Sequence, residues 1–194
     1  MEKKKLVFAT NNSHKLEEAQ AILGDTVEIL PLKSIGCTED IPETADTCEG
    51  NALIKARWVK EKYGYDCFAD DTGLMVKALD GGPGVMTARY AGDHCSPDDN
   101  IRKMLAEMEG ATDRTACFVT EVALSLDGKE YIFEGKVDGS IATERHGNGG
   151  FGYDPIFVPK ETGICFAEMT AEQKNAISHR GRAMRKLADF LTSL

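Results

Sequence analysis

Leu6-Val-Phe-Ala-Thr-Asn-Asn-Ser-His-Lys15 is where the fold class first becomes readable. Leu6 to Ala9 is an unbroken apolar run, short enough to be a buried strand that runs on into Thr10. Asn11 and Asn12 break it at a turn. Leu16, Ala19, Ile22 and Leu23 then recur at helical spacing, Glu17 and Glu18 suit the early part of that helix, and Gly24 ends it. The next strand is expected over residues 27–30. A strand, a turn and a helix in immediate succession indicate a fold that packs helices on a sheet.

Further along, residues 31–46 are polar and read as a loop containing Pro42, Glu43 and Thr44. Ala52, Ala56, Val59 and Tyr63 mark one face of a helix over residues 47–63, closed by Gly64. Cys67-Phe-Ala is a brief strand running into Asp70-Asp-Thr-Gly73, and residues 74–79 predict a further strand before the sharp turn Asp80-Gly-Gly-Pro-Gly84. Ser96-Pro97-Asp98-Asp99 opens a third helix, which Gly110 ends. Asp127-Gly128 separates two long β-rich runs and predicts a type I′ hairpin. Thr170-Ala-Glu-Gln173 has capping-box form, and Ala183, Leu187, Phe190, Leu191 and Leu194 give the last helix its apolar stripe. Ser178 is an equally good cap for a new helix after a break, and the spacing does not choose. These elements indicate an α/β or α+β fold, with two lobes around a cleft.

Length sets one sizeable domain over residues 1–194 as the expectation. Acidic residues number 32 against 23 basic ones, a formal net charge of -9, which gives no general field for DNA or RNA. Six cysteines without a C-x-x-C pair suggest reduced, mostly buried thiols rather than a zinc site or a disulfide framework. Four apolar residues after Met1-Glu-Lys-Lys-Lys5 are too few for a signal-peptide core or a membrane span, so a cytoplasmic protein with no membrane partner is expected.

Several segments carry candidate chemistry. Free N–H groups and the positive helix end at Thr10-Asn11-Asn12-Ser13-His14-Lys15 suit a phosphate, although an ordinary N-cap with a solvated lysine is the commoner reading. Asp70 and Asp71 are adjacent in extended chain, so their side chains point to opposite sides and only one faces a given cleft. Together with Glu43, that acid could bind Mg2+, which takes one or two carboxylates and fills its other positions with water and phosphate oxygens. Ordinary turn chemistry explains the Asp pair at least as well. Asn51 and Lys55 share a helix face at i, i+4, as residues of a solvated salt-bridging helix also do. Lys174, His179 and Arg180 concentrate donors to phosphate or base oxygens, with a solvated face as the default. Gly147-Asn-Gly-Gly-Phe-Gly152 matches G-x-G-x-x-G in form only, because Tyr153-Asp-Pro155 follows instead of a helix. Phe151 and Asp154 could stack a base and bond its edge; simple core packing of Phe151 is narrowly the plainer alternative.

In this order, the segments resemble the inosine triphosphate pyrophosphatase family, the XTP/dITP pyrophosphohydrolases that act on nonstandard purine nucleotides. The resemblance spans nearly the whole chain. It rests on Thr10 to Lys15, Glu43-Thr44, Asn51-Ala-Leu-Ile-Lys-Ala-Arg57, Ala69-Asp-Asp-Thr-Gly-Leu74, Pro83-Gly84, Thr87-Ala-Arg-Tyr90, Gly149-Gly-Phe-Gly-Tyr-Asp-Pro155, Lys174 and Ser178-His-Arg180. It implies an elongated α/β fold with a central mixed sheet and flanking helices, a homodimer, and Mg2+-dependent hydrolysis between the α and β phosphates. The products would be nucleoside monophosphate and pyrophosphate. By the same resemblance, Thr10 to Lys15, Lys55 and Lys174 contact triphosphate or sugar, and Glu43 and Asp71 serve metal and water, with Asp71 as proton acceptor. Thr72 touches substrate, Phe151, Gly152, Tyr153 and Asp154 form the base pocket, and His179 and Arg180 approach the purine O6. Asn11 stands where the family often has glycine, Thr72 replaces a common serine, and Glu49 is displaced from the acid usually found directly before Asn51. Glu49 is therefore given no role. A non-catalytic nucleotide-binding module, or a pyrophosphatase of other modified or standard nucleotides, are the alternatives.

Overall fold

A computed structural model describes residues 2–194. In chain order the elements are β1 (Lys4–Phe8), α1 (Ser13–Leu23), β2 (Val27–Pro31), α2 (Cys48–Tyr63), β3 (Cys67–Val76), β4 (Gly82–Gly84), α3 (Pro97–Glu107), β5 (Thr115–Leu126), β6 (Lys129–Ile141), β7 (Phe157–Pro159), α4 (Ala171–Ile177) and α5 (His179–Thr192). The strand order is β2-β1-β3-β5-β6-β7, with β4 paired to β3. This is a mixed α/β fold. Among the described residues no helix is long and apolar enough to cross a membrane.

The chain forms two compact units. The first comprises the chain up to Asp71, Thr120–Gly135 and Arg180–Leu194. Within it β1 runs parallel to β2, Leu6 opposite Ile29, and parallel to β3, Phe8 opposite Phe68. Alternate residues of these strands enter two separate cores. Leu6, Phe8, Phe68, Val122 and Leu124 join Ala19 and Leu23 of α1 and Ala183, Met184 and Leu187 of α5. Val7, Ala9, Cys67, Ala69 and Ala123 join Ala52, Ala56 and Val59 of α2. The apolar run Leu6 to Ala9 has no polar alternation because both of its faces are covered.

The second unit comprises Thr72–Val119 and Lys136–His179. Its core is built from Leu74, Val76, Met104, Met108, Phe118, Val137, Ile156, Phe157 and Phe166. Here β4 is antiparallel to β3 and β7 is antiparallel to β6. Helix α3 starts after Ser96, as expected from its sequence, and Ser96 and Asp99 complete a capping box there.

Most boundaries follow the sequence closely. Asp127 and Gly128 have φ of 51° and 78°, the left-handed pair that a type I′ turn requires. Ser178 is extended (φ -67°, ψ 158°) and separates α4 from α5, which decides the question left open by spacing. One expectation is corrected. Residues 67–79 do not form two strands around an Asp-Asp-Thr-Gly turn; β3 runs unbroken from Cys67 to Val76, followed by a 3-10 turn at Lys77–Leu79. Carboxylates rarely occupy buried strands, but Asp70 and Asp71 are each matched by polar partners, which removes the penalty that makes a turn the better guess.

Candidate active site

Two clusters collect the sequence-predicted residues, one in each unit. In the first, Asp70 is fully buried on β3. Its Oδ1 accepts from Lys15 Nζ at 3.1 Å and its Oδ2 from Arg180 Nε at 2.9 Å. Arg180 Nη1 donates in turn to Glu18 at 2.6 Å. Burial alone would raise the Asp70 pKa, but the positive charges of Lys15, Arg180 and Lys55 outweigh it and hold the carboxyl well below its ordinary range. Burial has the larger effect on Lys15 and pulls its ammonium below the usual lysine value.

Asp71 points to the other side of the strand, as adjacent residues of an extended chain must. It meets α2, where Asn51 Nδ2 donates to Asp71 Oδ2 at 3.3 Å. Lys55, one turn further along the helix, donates to the Asp70 carbonyl at 2.5 Å and to Glu43 Oε1 at 3.1 Å. The Asp71 pKa is raised, chiefly by burial and with help from the negative charge of Glu43, against the opposing pull of Lys55, Lys15 and Asn51. Cys48 lies beside Asp71; burial first, and that carboxylate second, push its thiol up to about 12. Lys15, Lys55, Glu43 and Asp71 are thus brought together.

At the start of α1 the N-cap of the plainer reading is present, but its solvated lysine is not. Asn12 is the N-cap, and its Oδ1 accepts from the N–H groups of His14 and Lys15 at 3.0 and 3.2 Å. Thr10 Oγ1 accepts from the Asn12 N–H at 3.1 Å. Asn11, Asn12, Ser13 and His14 are exposed, while the Lys15 side chain turns inward to Asp70.

In the second unit, Asp154 Oδ2 accepts from Lys174 Nζ at 2.7 Å and from the Phe151 N–H at 3.0 Å. Lys174 Nζ also lies 4.5 Å from the centre of the Phe151 ring, a cation–π contact. Gly150 makes this possible. It has φ +67°, and a Cβ there would sit 2.0 Å from Asp154 Oδ2. Tyr153 donates its hydroxyl to the Thr87 carbonyl at 2.7 Å, and Thr87 Oγ1 accepts from Leu74 N at 2.8 Å. His179 is buried and stacked on Phe118, with centroids 4.4 Å apart and planes inclined by 14°. Gly152 and Thr72 are half-buried in this unit.

Two placements differ from what the motifs suggest. Arg180, expected on a purine oxygen, directs Nε and Nη1 to the carboxylates of Asp70 and Glu18. Lys174, expected on phosphate or sugar, is joined to the base-pocket candidates Phe151 and Asp154. Three participants carry no residue role in the sequence reading. Glu18 reads as an ordinary early-helix acid, Phe118 as a core strand residue, and Cys48 as a buried thiol, so no local signal marks any of them.

A model of the Ham1 family matches residues 6–190. The chain belongs to the Ham1 family. It is 56% identical over 188 residues to the dITP/XTP pyrophosphatase of Porphyromonas gingivalis, covering 96% of this chain and 97% of that one. It is 53% identical over 189 residues to the dITP/XTP pyrophosphatase of Flavobacterium johnsoniae, covering 97% and 98%. Among solved structures, the HAM1 protein of Coxiella burnetii superposes with a TM-score of 0.90 at 38% identity, covering 98% of this chain and all of that one. The α/β fold with a central mixed sheet and flanking helices, expected from the motifs, is therefore the fold of this chain.

Proposed function

We propose that this Ham1 chain hydrolyses the triphosphates of nonstandard purines, ITP, dITP and XTP, between the α and β phosphates, releasing nucleoside monophosphate and pyrophosphate and so cleansing the nucleotide pool. The observation that carries the reading is the group of Lys15, Lys55, Glu43 and Asp71, with Lys55 and Asp71 buried and Lys15 and Glu43 half-buried, in a chain more than half identical to dITP/XTP pyrophosphatases. Two lysines answer the charge of a polyphosphate. Asp71, whose pKa is raised rather than lowered, has the basicity to accept a proton from water as it attacks the α phosphorus. The proton passes to Asp71 Oδ, the new bond forms at phosphorus, and the electron pair of the broken bond leaves with pyrophosphate.

Glu43 and Asp71 suit Mg2+. The Glu43 charge raises the cost of charging Asp71, and a divalent cation relieves that repulsion. Among the described residues, no group of three or more His, Cys, Asp or Glu comes together as a metal cage. Two carboxylates, with water and phosphate oxygens completing the shell, are what Mg2+ ordinarily accepts. When bound, it would supply Lewis-acid stabilisation of charge on the phosphate oxygens. Thr10, Asn11, Asn12, Ser13 and His14 support the phosphates or sugar, and Thr72 contacts the substrate.

Phe151, Gly152, Tyr153 and Asp154 take the base in this reading, with Asp154 accepting from N1–H and His179 donating toward O6. Adenine presents the reverse pattern and is rejected. Arg180 serves through Asp70, keeping that carboxylate charged so that it can hold Lys15. The reading includes one functional domain over residues 1–194, a homodimer, a cytoplasmic setting and no nucleic-acid partner. A single family model spanning residues 6–190 supports the one-domain part.

The test is product identification. With Mg2+, the protein should convert dITP, ITP and XTP to monophosphate and pyrophosphate, far faster than ATP. Chelation by EDTA should stop turnover, and Asp71→Asn should retain less than about a hundredth of it. Release of orthophosphate with a nucleoside diphosphate would contradict the assigned bond. Intact nucleotide after long incubation would favour the binding-module alternative.

A further inference from the structure

Asn51 is fully buried, and its two amide atoms face different parts of the first unit. Oδ1 accepts from the backbone N–H of Ala45 at 2.9 Å, and Nδ2 donates to Asp71 Oδ2 at 3.3 Å. A single carboxamide thus joins the loop that carries Glu43, the first turn of α2 and the strand that carries Asp71. The helix end that holds it is itself fixed, because Thr47 is the N-cap and its Oγ1 accepts from Gly50 N at 3.0 Å. We propose that Asn51 is a positioning residue for the hydrolysis: its carboxamide sets how Glu43 and Asp71 are placed relative to each other.

The proposal rests on the function given above and assigns this residue a part in it. The chemistry needed is narrow. One atom must accept from a backbone N–H while another donates to a carboxylate, which a carboxamide does at any pH and an ionised carboxylate of the same size cannot. A residue needed only to fill the helix interior would be apolar, since a buried carboxamide is favourable only with its polar atoms matched. Around Asp71 the charged and titratable neighbours are Lys55 and Cys48 from α2, Lys15 from α1, and Glu43 from the loop. Asn51 Nδ2 donates directly to Asp71 Oδ2, and the Cys48 thiol is a second neutral group in hydrogen-bond contact with that carboxyl.

Two variants separate the roles. Asn51→Asp is nearly isosteric and keeps an oxygen for Ala45 N–H, but it removes the donor and sets a second carboxylate against Asp71. Asn51→Ala removes both contacts. With folding checked by thermal melting, kcat for dITP should fall roughly 100-fold in either variant while KM stays close to the wild-type value. Without nucleotide, exchange of the Ala45 amide should quicken in Asn51→Ala only, and a crystal structure of Asn51→Asp should show the Asp71 carboxylate turned away. Wild-type kcat in folded Asn51→Asp, or a rise in KM with kcat kept, would overturn the assignment. If the wild-type protein proves inert toward dITP and XTP, the proposed function fails by itself. An Asp71 position unchanged in Asn51→Asp then overturns the inference as well.

Discussion

Glu121 shows how a single buried acid makes stability depend on pH. It is buried on β5, and burial, followed by the neighbouring Glu134 carboxyl, pushes its pKa up to about 8. The unfolded value is near the ordinary 4.5. The folded protein therefore holds a proton here that the unfolded chain releases, so the stabilisation is full below about 4.5 and is lost as pH rises through about 8. Glu121→Gln keeps a neutral group of the same shape. Urea unfolding should give a variant that gains stability relative to wild type between pH 5 and pH 8; a constant difference across that range would show that Glu121 does not titrate as described. The opposite sign holds at Asp70, where Lys15 and Arg180 stabilise the charged form. That contribution is present at neutral pH and disappears only in strong acid.

At the scale of elements, the loop between β6 and β7 depends on its glycines for geometry. Gly150→Ala would place a Cβ against Asp154 Oδ2, the atom that accepts from Lys174 and Phe151 N. The left-handed backbone adds about 1 to 2 kcal/mol of strain for any residue with a Cβ. The variant should melt several degrees lower, and its KM for dITP should rise more than its kcat falls, since the displaced acid is assigned to the base. An unchanged KM would detach Asp154 from base recognition. Helix ends and turns were legible from sequence here because they are governed by local chemistry. Asn12, Thr47, Ser96 and Thr170 all cap their helices through their own side chains, and Asp127-Gly128 adopts the turn its residues favour. The course of β3 was not legible, because whether Asp70-Asp71 bends or continues depends on lysine and arginine donors from distant parts of the chain.

For the molecule as a whole, the six cysteines are free, as their irregular spacing implies. Cys37, Cys48, Cys67 and Cys165 are buried, and burial pushes Cys48 and Cys67 up to about 12 and Cys165 up to about 11. A thiol reagent acts on the thiolate, so in the folded protein Cys95 and Cys117 should react first and the remaining four only after denaturation. Rapid reaction of all six in buffer would show that these cores open readily. The sequence by itself determined the sheet-and-helix class, the helix caps, the hairpin and, through ordered motifs, the family, since each is carried by residues close together in the chain. Only the tertiary structure decided that Arg180 faces Asp70 and Glu18, that Lys174 joins Phe151 and Asp154, and that Asn51 links the Glu43 loop to Asp71. A buried charge takes whichever partner the packed chain brings within reach, and spacing along the sequence holds no record of that choice.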